Sequence, residues 1–226
     1  DYIIRNEEGG EISRFYGYVA DGIFQNQTEV NAHTDEYGTV IQPNAQPGDI
    51  RFKDLNHDGK LDDNDKTFIG NAFPDLMVGI NARLAWKNID FAANFYGTIG
   101  NDVYNTTKGR YSGVSGENVY AGTYNASWHG EGTSYDLPRL SYNDANQYWT
   151  RVSSFYVEDG SYLRCKQLQI GYTLPKKWTK KISLRLSFSA QNPFTITGYS
   201  GMDPEAAALG TEGKVTESGI DWAGYP

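Results

Sequence analysis

The twelve residues DLNHDGKLDDND, at positions 54–65, have the composition of a cation-binding loop. Side chains that carry oxygen occupy the first, third, fifth, ninth and twelfth positions, and glycine occupies the sixth. An EF-hand loop supplies oxygen ligands to calcium from this spacing, with a backbone carbonyl at the seventh position. We therefore expect a calcium ion whose ligands are Asp54, Asn56, Asp58, Lys60 through its carbonyl, Asp62 and Asp65.

Two features of this loop depart from the EF-hand. The twelfth position is Asp65 instead of the usual bidentate glutamate, so the shorter side chain weakens the expected site. The flanking segments RFK and KTFIGNAFPD also lack the pattern of two helices. If calcium binds, its role is expected to be structural. The alternative is an acidic surface turn without a metal.

No group of residues in the sequence predicts catalysis. His33, His57 and His129 are spaced too irregularly for a transition-metal site. The sequence contains no serine or cysteine nucleophile motif and no glycine-rich phosphate loop. Its single cysteine, Cys165, is expected to pack within a strand. We therefore expect that the chain is not an enzyme.

The composition favours strands and turns. The chain has 226 residues with 17 tyrosines and 25 glycines, and 14% of its residues are aromatic. Its formal net charge of −8 argues against nucleic acid as a partner, because binding to phosphates requires a basic face. No apolar run approaches the roughly 20 residues of a membrane-spanning helix.

Two segments near the middle of the chain alternate with the period of a strand. In LMVGINARLAW, residues 76–86, apolar side chains take every second position and Arg83 lies on the opposite face. The alternation resumes at residues 89–96 after Lys87 and Asn88. Two runs joined by two residues predict a tight hairpin over 76–98.

A second pair of alternating segments follows later. Residues 161–175 alternate, but their phase shifts near Lys166, which predicts a β-bulge there. Residues 182–191, ISLRLSFSAQ, place apolar side chains on one face and Arg185 on the other. We therefore expect a second hairpin over 161–192.

Long strands with short turns at one end and long loops at the other are typical of a transmembrane β-barrel. The long segments are 1–75, 99–160 and 193–226. In a barrel the apolar rows face lipid, and Arg83 and Arg185 face the lumen. The alternative is a secreted β-sandwich stabilised by calcium that binds carbohydrate, because sandwich strands alternate as well.

The segment 99–160 is polar and rich in aromatic residues. Loops of this length without regular structure are usually functional. Aromatic side chains can stack on sugars or pack on a partner at low entropic cost. The candidate contact residues are Tyr120, Tyr124, Trp128 and Trp149. The alternative is that these side chains pack the loop against itself.

Five motifs follow one another across nearly the whole chain. They are FYGYVADGIFQN at 15–26, GDIRFKDLNHDGKLDDNDKTFIGNAFPD at 48–75, GNDVYN at 100–105, YLRCKQLQIGYTLP at 162–175 and SAQNPFTITGYSGMDPE at 189–205. In their wording and order they resemble motifs of the SusC/RagA-type TonB-linked outer-membrane transporters of the Bacteroidetes.

This resemblance implies the last part of a 22-stranded plugged barrel in the outer membrane of a Gram-negative bacterium. The plug, the segment that contacts TonB and the final strand are expected to lie outside the chain. The three long segments are expected to be extracellular. The family's function implies import of glycans or peptides together with a SusD-like surface lipoprotein. Tyr120, Tyr124, Trp128 and Trp149, chosen for their aromatic rings, are then the candidates for contact with the substrate or the lipoprotein.

Overall fold

The structure is a computed structural model that describes residues 2–110, 118–119, 121–180, 182–205 and 218–222. The chain divides into two compact units. The first contains Asp1–Ala72, Val103–Glu158 and Glu205–Pro226, and the second contains Phe73–Asp102 and Asp159–Pro204. Within the described residues, every helix is too short or too polar to cross a membrane.

Short strands and a few single-turn helices make up the first unit, and four long strands make up most of the second. The strands are β1 (Ile4–Arg5), β2 (Arg14–Tyr18), β3 (Ala20–Ile23), β4 (Ile50–Phe52), β5 (Lys66–Asn71), β6 (Leu76–Trp86), β7 (Ile89–Ile99), β8 (Asp102–Asn105), β9 (Val157–Asp159), β10 (Tyr162–Thr173), β11 (Arg185–Thr197) and β12 (Ile220–Asp221). The α-helices are α1 (Gln27–Ala32), α2 (Thr107–Arg110), α3 (Thr123–Ala126) and α4 (Lys176–Thr179), and two 3-10 helices cover Asp63–Asp65 and Ser154–Tyr156.

Three small sheets build the first unit, in the strand orders β1-β2-β5, β3-β4 and β12-β8-β9. Strands of two to six residues bury little apolar surface by themselves, so aromatic side chains from the connecting segments complete the core. The core side chains are Phe15, Tyr18, Ile50, Phe52, Tyr104, Tyr148, Trp149, Val152, Tyr156 and Ile220.

The second unit is an antiparallel four-stranded sheet in the order β11-β10-β7-β6. Strands β6 and β7 form the predicted hairpin, and its turn begins at Lys87, whose φ of 54° is of the kind that tight hairpin turns require. Strands β10 and β11 form the second hairpin, and the connection between them contains α4. The apolar row of each strand lies on one face, as the alternation predicts.

The predicted bulge is confirmed at Lys166. In the pairing of β10 with β7, Cys165 lies opposite Phe95 and Gln167 lies opposite Asn94, which leaves Lys166 as the extra residue. The register of β10 with β11 shifts at the same place. This extra residue moves the following side chains to the other face of the sheet.

Three expectations about element bounds are wrong. The second hairpin does not end at residue 192, because β11 continues through Pro193 to Thr197. The left-handed backbone of Asn192, with φ of 48°, forms the offset opposite the β10 bulge, so Pro193 interrupts no paired position. The segment 99–160 also contains β8, α2, α3 and β9, and the segment 193–226 contains β12.

Gly17 marks a close approach of two backbone segments in the first unit. A Cβ atom at this position would lie 2.4 Å from the carbonyl oxygen of Val152, which accepts the Tyr18 backbone N–H at 2.9 Å. Gly17→Ala should therefore force the two segments apart and destabilise the unit by about 1–3 kcal/mol. Gly130→Ala is the matched control, since the nearest atom to its Cβ is 3.8 Å away. Hydrogen exchange of the β2 amides measures the difference, and equal protection in both variants would contradict it.

Candidate functional site

The carboxylates at the two ends of the 54–65 loop hold its backbone. Asp54 is nearly buried, and its two oxygens accept the backbone N–H groups of His57 at 2.7 Å and Gly59 at 2.8 Å. Asp65 is fully buried and accepts the N–H groups of Leu55 at 2.8 Å and Asp62 at 2.9 Å. Buried charges need such partners, so the loop closes on its own hydrogen bonds.

The middle of the loop repeats this pattern at the surface. The Asn56 side-chain oxygen accepts the Asp58 N–H at 3.1 Å, and an Asp58 oxygen accepts the Lys60 N–H at 3.0 Å. Asp62 caps the 3-10 helix by accepting the Asn64 N–H at 2.8 Å. Gly59 has φ of 78°, which supplies the sharp turn expected at the sixth position.

Oxygen ligands of these types suit calcium, but the structure does not gather them around one point. In the part of the chain that the structure describes, no group of three or more His, Cys, Asp and Glu side chains could hold a metal ion. The calcium site therefore stays a prediction. His57, at a position that is not among the expected ligands, is exposed.

The four candidate contact residues differ in their placement. Trp149 is only 8% exposed and packs in the core against Tyr148 and Phe155, so its predicted contact role is wrong. Its indole N–H donates to the Arg139 carbonyl at 3.3 Å, which satisfies the buried polar atom. Aromatic content alone could not distinguish a core residue from a contact residue.

Trp128 is half-buried, and its ring covers Gly48, where a Cβ would lie 2.3 Å from the ring. Its indole N–H donates to Gln25 at 3.3 Å. Tyr124 is 64% exposed and stacks on His129, with ring centroids 5.6 Å apart. Tyr120 lies outside the described residues. Tyr124 is therefore the candidate whose ring is most available for contact among the three that are described.

Sequence reasoning missed a buried ion pair in the first unit. Asp49 is fully buried, and the Arg139 Nε donates to it at 2.5 Å. Burial raises the pKa of the Asp49 carboxyl, and the hydrogen bond from Arg139 acts in the opposite direction. The pair joins residues 90 positions apart, and nothing in the local sequence around either residue marks them as partners.

Arg185 makes an ion pair on the polar face of the four-stranded sheet. Its Nε donates to Asp90 at 3.1 Å, and a second nitrogen donates to the other oxygen of the same carboxylate. The two residues belong to β11 and β7, which flank β10. Gly171 of β10 lies beneath the pair, and a Cβ there would lie 2.4 Å from the guanidinium. Glycine at this position therefore leaves the space that the pair occupies.

Arg83 lies on the same face as Arg185. Its strand partner is Ala92, which pairs in turn with Gln169, and the Asn94 amide donates to Gln167 at 3.2 Å. These residues line a pocket of about 490 Å³ on the polar face. The structure agrees with the alternation that placed both arginines opposite the apolar rows, while the lumen-facing orientation stays a prediction.

The calcium prediction is testable by limited proteolysis of the purified protein. Binding only to the folded loop should reduce cleavage within 54–65 as calcium rises above roughly 10⁻⁴–10⁻³ M. Replacing Asp54 and Asp58 together by alanine should remove this dependence. Asp63→Ala is the control, because Asp63 is not an expected ligand and pairs with Lys66. Equal cleavage of the unmodified protein in calcium and in chelator would show that the loop is only an acidic turn.

Known proteins similar to this chain are TonB-dependent receptors. TonB-dependent receptor P3 of Formosa agariphila is 34% identical over 224 residues, which cover 97% of this chain and 21% of that protein. TonB-dependent receptor SusC of Bacteroides thetaiotaomicron is 28% identical and is matched over 96% of this chain and 21% of its own length. The chain thus spans about a fifth of the length of these relatives. No family model matches it.

The solved structure of the RagAB peptide transporter has the same fold over this region. It superposes with a TM-score of 0.67 at 21% identity, covering 96% of this chain and 21% of that chain. The RagAB peptide importer in its closed-closed state gives a TM-score of 0.62 at the same identity. The fold is therefore that of antiparallel strands from a large plugged barrel. With the sequence relatives, this makes the chain similar, over nearly its whole length, to one part of the SusC/RagA-type TonB-dependent receptors.

Proposed function

We propose that the chain is part of an outer-membrane importer that takes up glycans or peptides with energy supplied through TonB. The single observation that carries this proposal is the two-faced sheet of the second unit. Its four strands are 11 to 13 residues long, enough for the roughly 9–11 residues that a tilted barrel strand needs. The kinship with TonB-dependent receptors supports the same function.

The apolar face of this sheet supports a position against lipid. Leu84 is 68% exposed, Phe188 is 70% exposed and Ile196 is 62% exposed. Together with their strand neighbours they form a continuous apolar surface, which a soluble protein rarely leaves uncovered. The opposite face carries Arg83 and the Arg185–Asp90 pair, as a water-filled lumen requires.

The alternative of a secreted β-sandwich requires a second sheet over these apolar rows. Among the described residues, the rows remain exposed, so nothing in this part of the chain supplies that second sheet. No specific observation favours carbohydrate binding by a sandwich. The absence of enzymatic activity stays a prediction, and the relatives named above are receptors.

The proposed partner is a SusD-like surface lipoprotein. Support comes from the relatives, which include SusC and the peptide importer RagAB. The proposed substrate class, glycans or peptides, is left at that breadth because aromatic residues suit both. The loops of the first unit would lie on the extracellular side, where Tyr124 is the candidate for contact with the substrate or the lipoprotein.

The proposal is tested by deleting the receptor from its host and measuring uptake of labelled oligosaccharides and short peptides. Loss of uptake of one class is expected. Tyr124→Ala should lower that uptake, and Tyr124→Phe, which keeps the ring, should not. A surface lipoprotein should co-purify with the receptor from detergent-solubilised outer membranes. Recovery of the folded receptor in the soluble fraction without detergent would overturn the proposal.

The orientation of the two faces predicts the effect of exchanging Arg185 with Leu186. The exchange moves a charge to the lipid face, at a cost of about 2–4 kcal/mol near the bilayer midplane. It also breaks the pair with Asp90. We expect less heat-modifiable barrel in the outer membrane.

The matched control exchanges Arg185 with Ser187, because these two residues lie on the same face of β11. That variant keeps the charge on the polar face. Normal barrel levels for the Arg185–Leu186 exchange would contradict the assignment of the faces.

A further inference from the structure

A pocket in the first unit has cations in its lining, although the chain as a whole is acidic. It has a volume of about 470 Å³, and its lining includes the cations Lys60 and Arg151 and no carboxylate. The whole chain carries a net charge of −8. Lys60 belongs to the 54–65 loop, and Arg151 follows the core residue Trp149. A cationic lining in an acidic protein indicates a site for a negatively charged group.

The Arg151 guanidinium has no hydrogen-bond acceptor and no ion pair among the described residues, and it lies near two aromatic rings. It lies 5.0 Å from the ring centroid of Tyr18 and 5.8 Å from that of Phe52. The side chain is half-buried. Ring contacts fix the position of a guanidinium and leave its N–H donors available in its plane.

Two carboxylates, Asp144 and Asp65, act electrostatically on Arg151, and both accept hydrogen bonds from other donors. Asp144 accepts the backbone N–H groups of Tyr148, Trp149 and Thr150 at 2.8–3.1 Å. The other, Asp65, is the buried carboxylate that closes the 54–65 loop. Burial lowers the pKa of Arg151, and Tyr18, Asp144 and Asp65 act in the opposite direction. Neither carboxylate forms an ion pair with Arg151 among the described residues, so its donors remain unused there.

Two amides fix a second donor in the lining of the pocket. The buried Gln42 accepts the Phe52 N–H through its side-chain oxygen at 2.8 Å, so its nitrogen must point the other way. That nitrogen donates to Ile50 and, at 3.4 Å, to the Asn146 side-chain oxygen. The Asn146 side-chain nitrogen is then a buried donor without a partner in the part of the chain that the structure describes. Next to it, Gln147 holds a φ of 56°, a strained value of the kind found at ligand sites.

We propose that this pocket, the Arg151 pocket, binds the carboxylate of a small molecule, such as the C-terminus of a short peptide or the acid group of a uronic acid. Arg151 supplies paired N–H donors that match the two carboxylate oxygens. Lys60 adds a second positive charge at the rim. The inference rests on the proposed importer function only in taking this carboxylate to belong to a nutrient.

A neighbouring pocket of the first unit has an acidic lining and serves as a comparison for the Arg151 pocket. It has about 660 Å³, and its lining includes Asp21, Asp35, Glu36 and Asp54. An anion entering that pocket would meet four carboxylates and the single lysine Lys53. Carboxylate binding is therefore expected at the Arg151 pocket and not at its neighbour.

The test measures binding to the purified receptor in detergent by calorimetry. The probes are triglycine with its C-terminal amide, and galacturonate with galactose. The receptor should bind at least one acid roughly tenfold more tightly than its neutral counterpart, the ratio that one charge-assisted hydrogen bond gives. The peptide pair and the sugar pair distinguish the two sources of the carboxylate. Equal affinity within both pairs, or binding of neither acid, overturns the proposal.

Two variants assign the preference to this pocket. Arg151→Gln removes the charge and should abolish the preference for the acid. Lys60→Glu, at an exposed position, places a carboxylate at the rim and should abolish it without disturbing the core. Arg5→Gln is the matched control, because it removes an arginine that pairs with Glu7 outside the pocket. An unchanged preference in Lys60→Glu and Arg151→Gln overturns the proposal.

A modification experiment covers the case in which Arg151→Gln fails to fold. Phenylglyoxal should modify Arg151 in the unmodified receptor, and the bound acid should protect it, as read by mass spectrometry. Modification without protection overturns the proposal. Uptake that persists without an acid preference counts against the pocket alone. An acid preference in a receptor that imports nothing counts against the importer function alone.

Discussion

The four-stranded sheet depends on one constraint, which is that every strand keeps its apolar side chains on the same face. A shift of one residue would move the whole row to the polar face. In β10 the apolar positions are Leu163 and Cys165 before Lys166 and Leu168 and Ile170 after it. These two pairs differ in parity, so a regular strand would place them on opposite faces. The bulge at Lys166 brings them to one face, and it lets Cys165 pair with Phe95 and Phe194.

The period-two pattern explains how much of this sheet could be predicted from the sequence. Alternation over eleven residues predicted β6, and the two-residue break predicted its hairpin with β7. The change of phase gave the bulge. Pro193 misled the prediction of β11, because a proline usually ends a paired segment. The compensating offset at Asn192 depends on the position of the partner strand, which local sequence does not contain.

The first unit could not be predicted in the same way, because short strands contain too few residues to show a period. Its order comes from side chains that bind distant backbone. Tyr148 and Trp149 both donate to the Arg139 carbonyl, and Arg139 pairs with the buried Asp49. The spacing of oxygen-bearing residues predicted an ordered loop at 54–65. In the structure the aspartates of this loop accept hydrogen bonds from its backbone N–H groups. Oxygen ligands for calcium and acceptors for N–H groups are the same residue types, so spacing alone does not separate the two roles.

That shared chemistry links the loop to the pocket beside it. Asp65 is fully buried, and its oxygens accept two backbone N–H groups. A carboxylate saturated in this way lends its charge to Arg151 at a distance but offers little to its donors. Asp65 therefore serves the backbone of its own loop and forms no ion pair with Arg151 among the described residues. The hydrogen bonds that close the acidic loop thus leave Arg151 available to the proposed carboxylate.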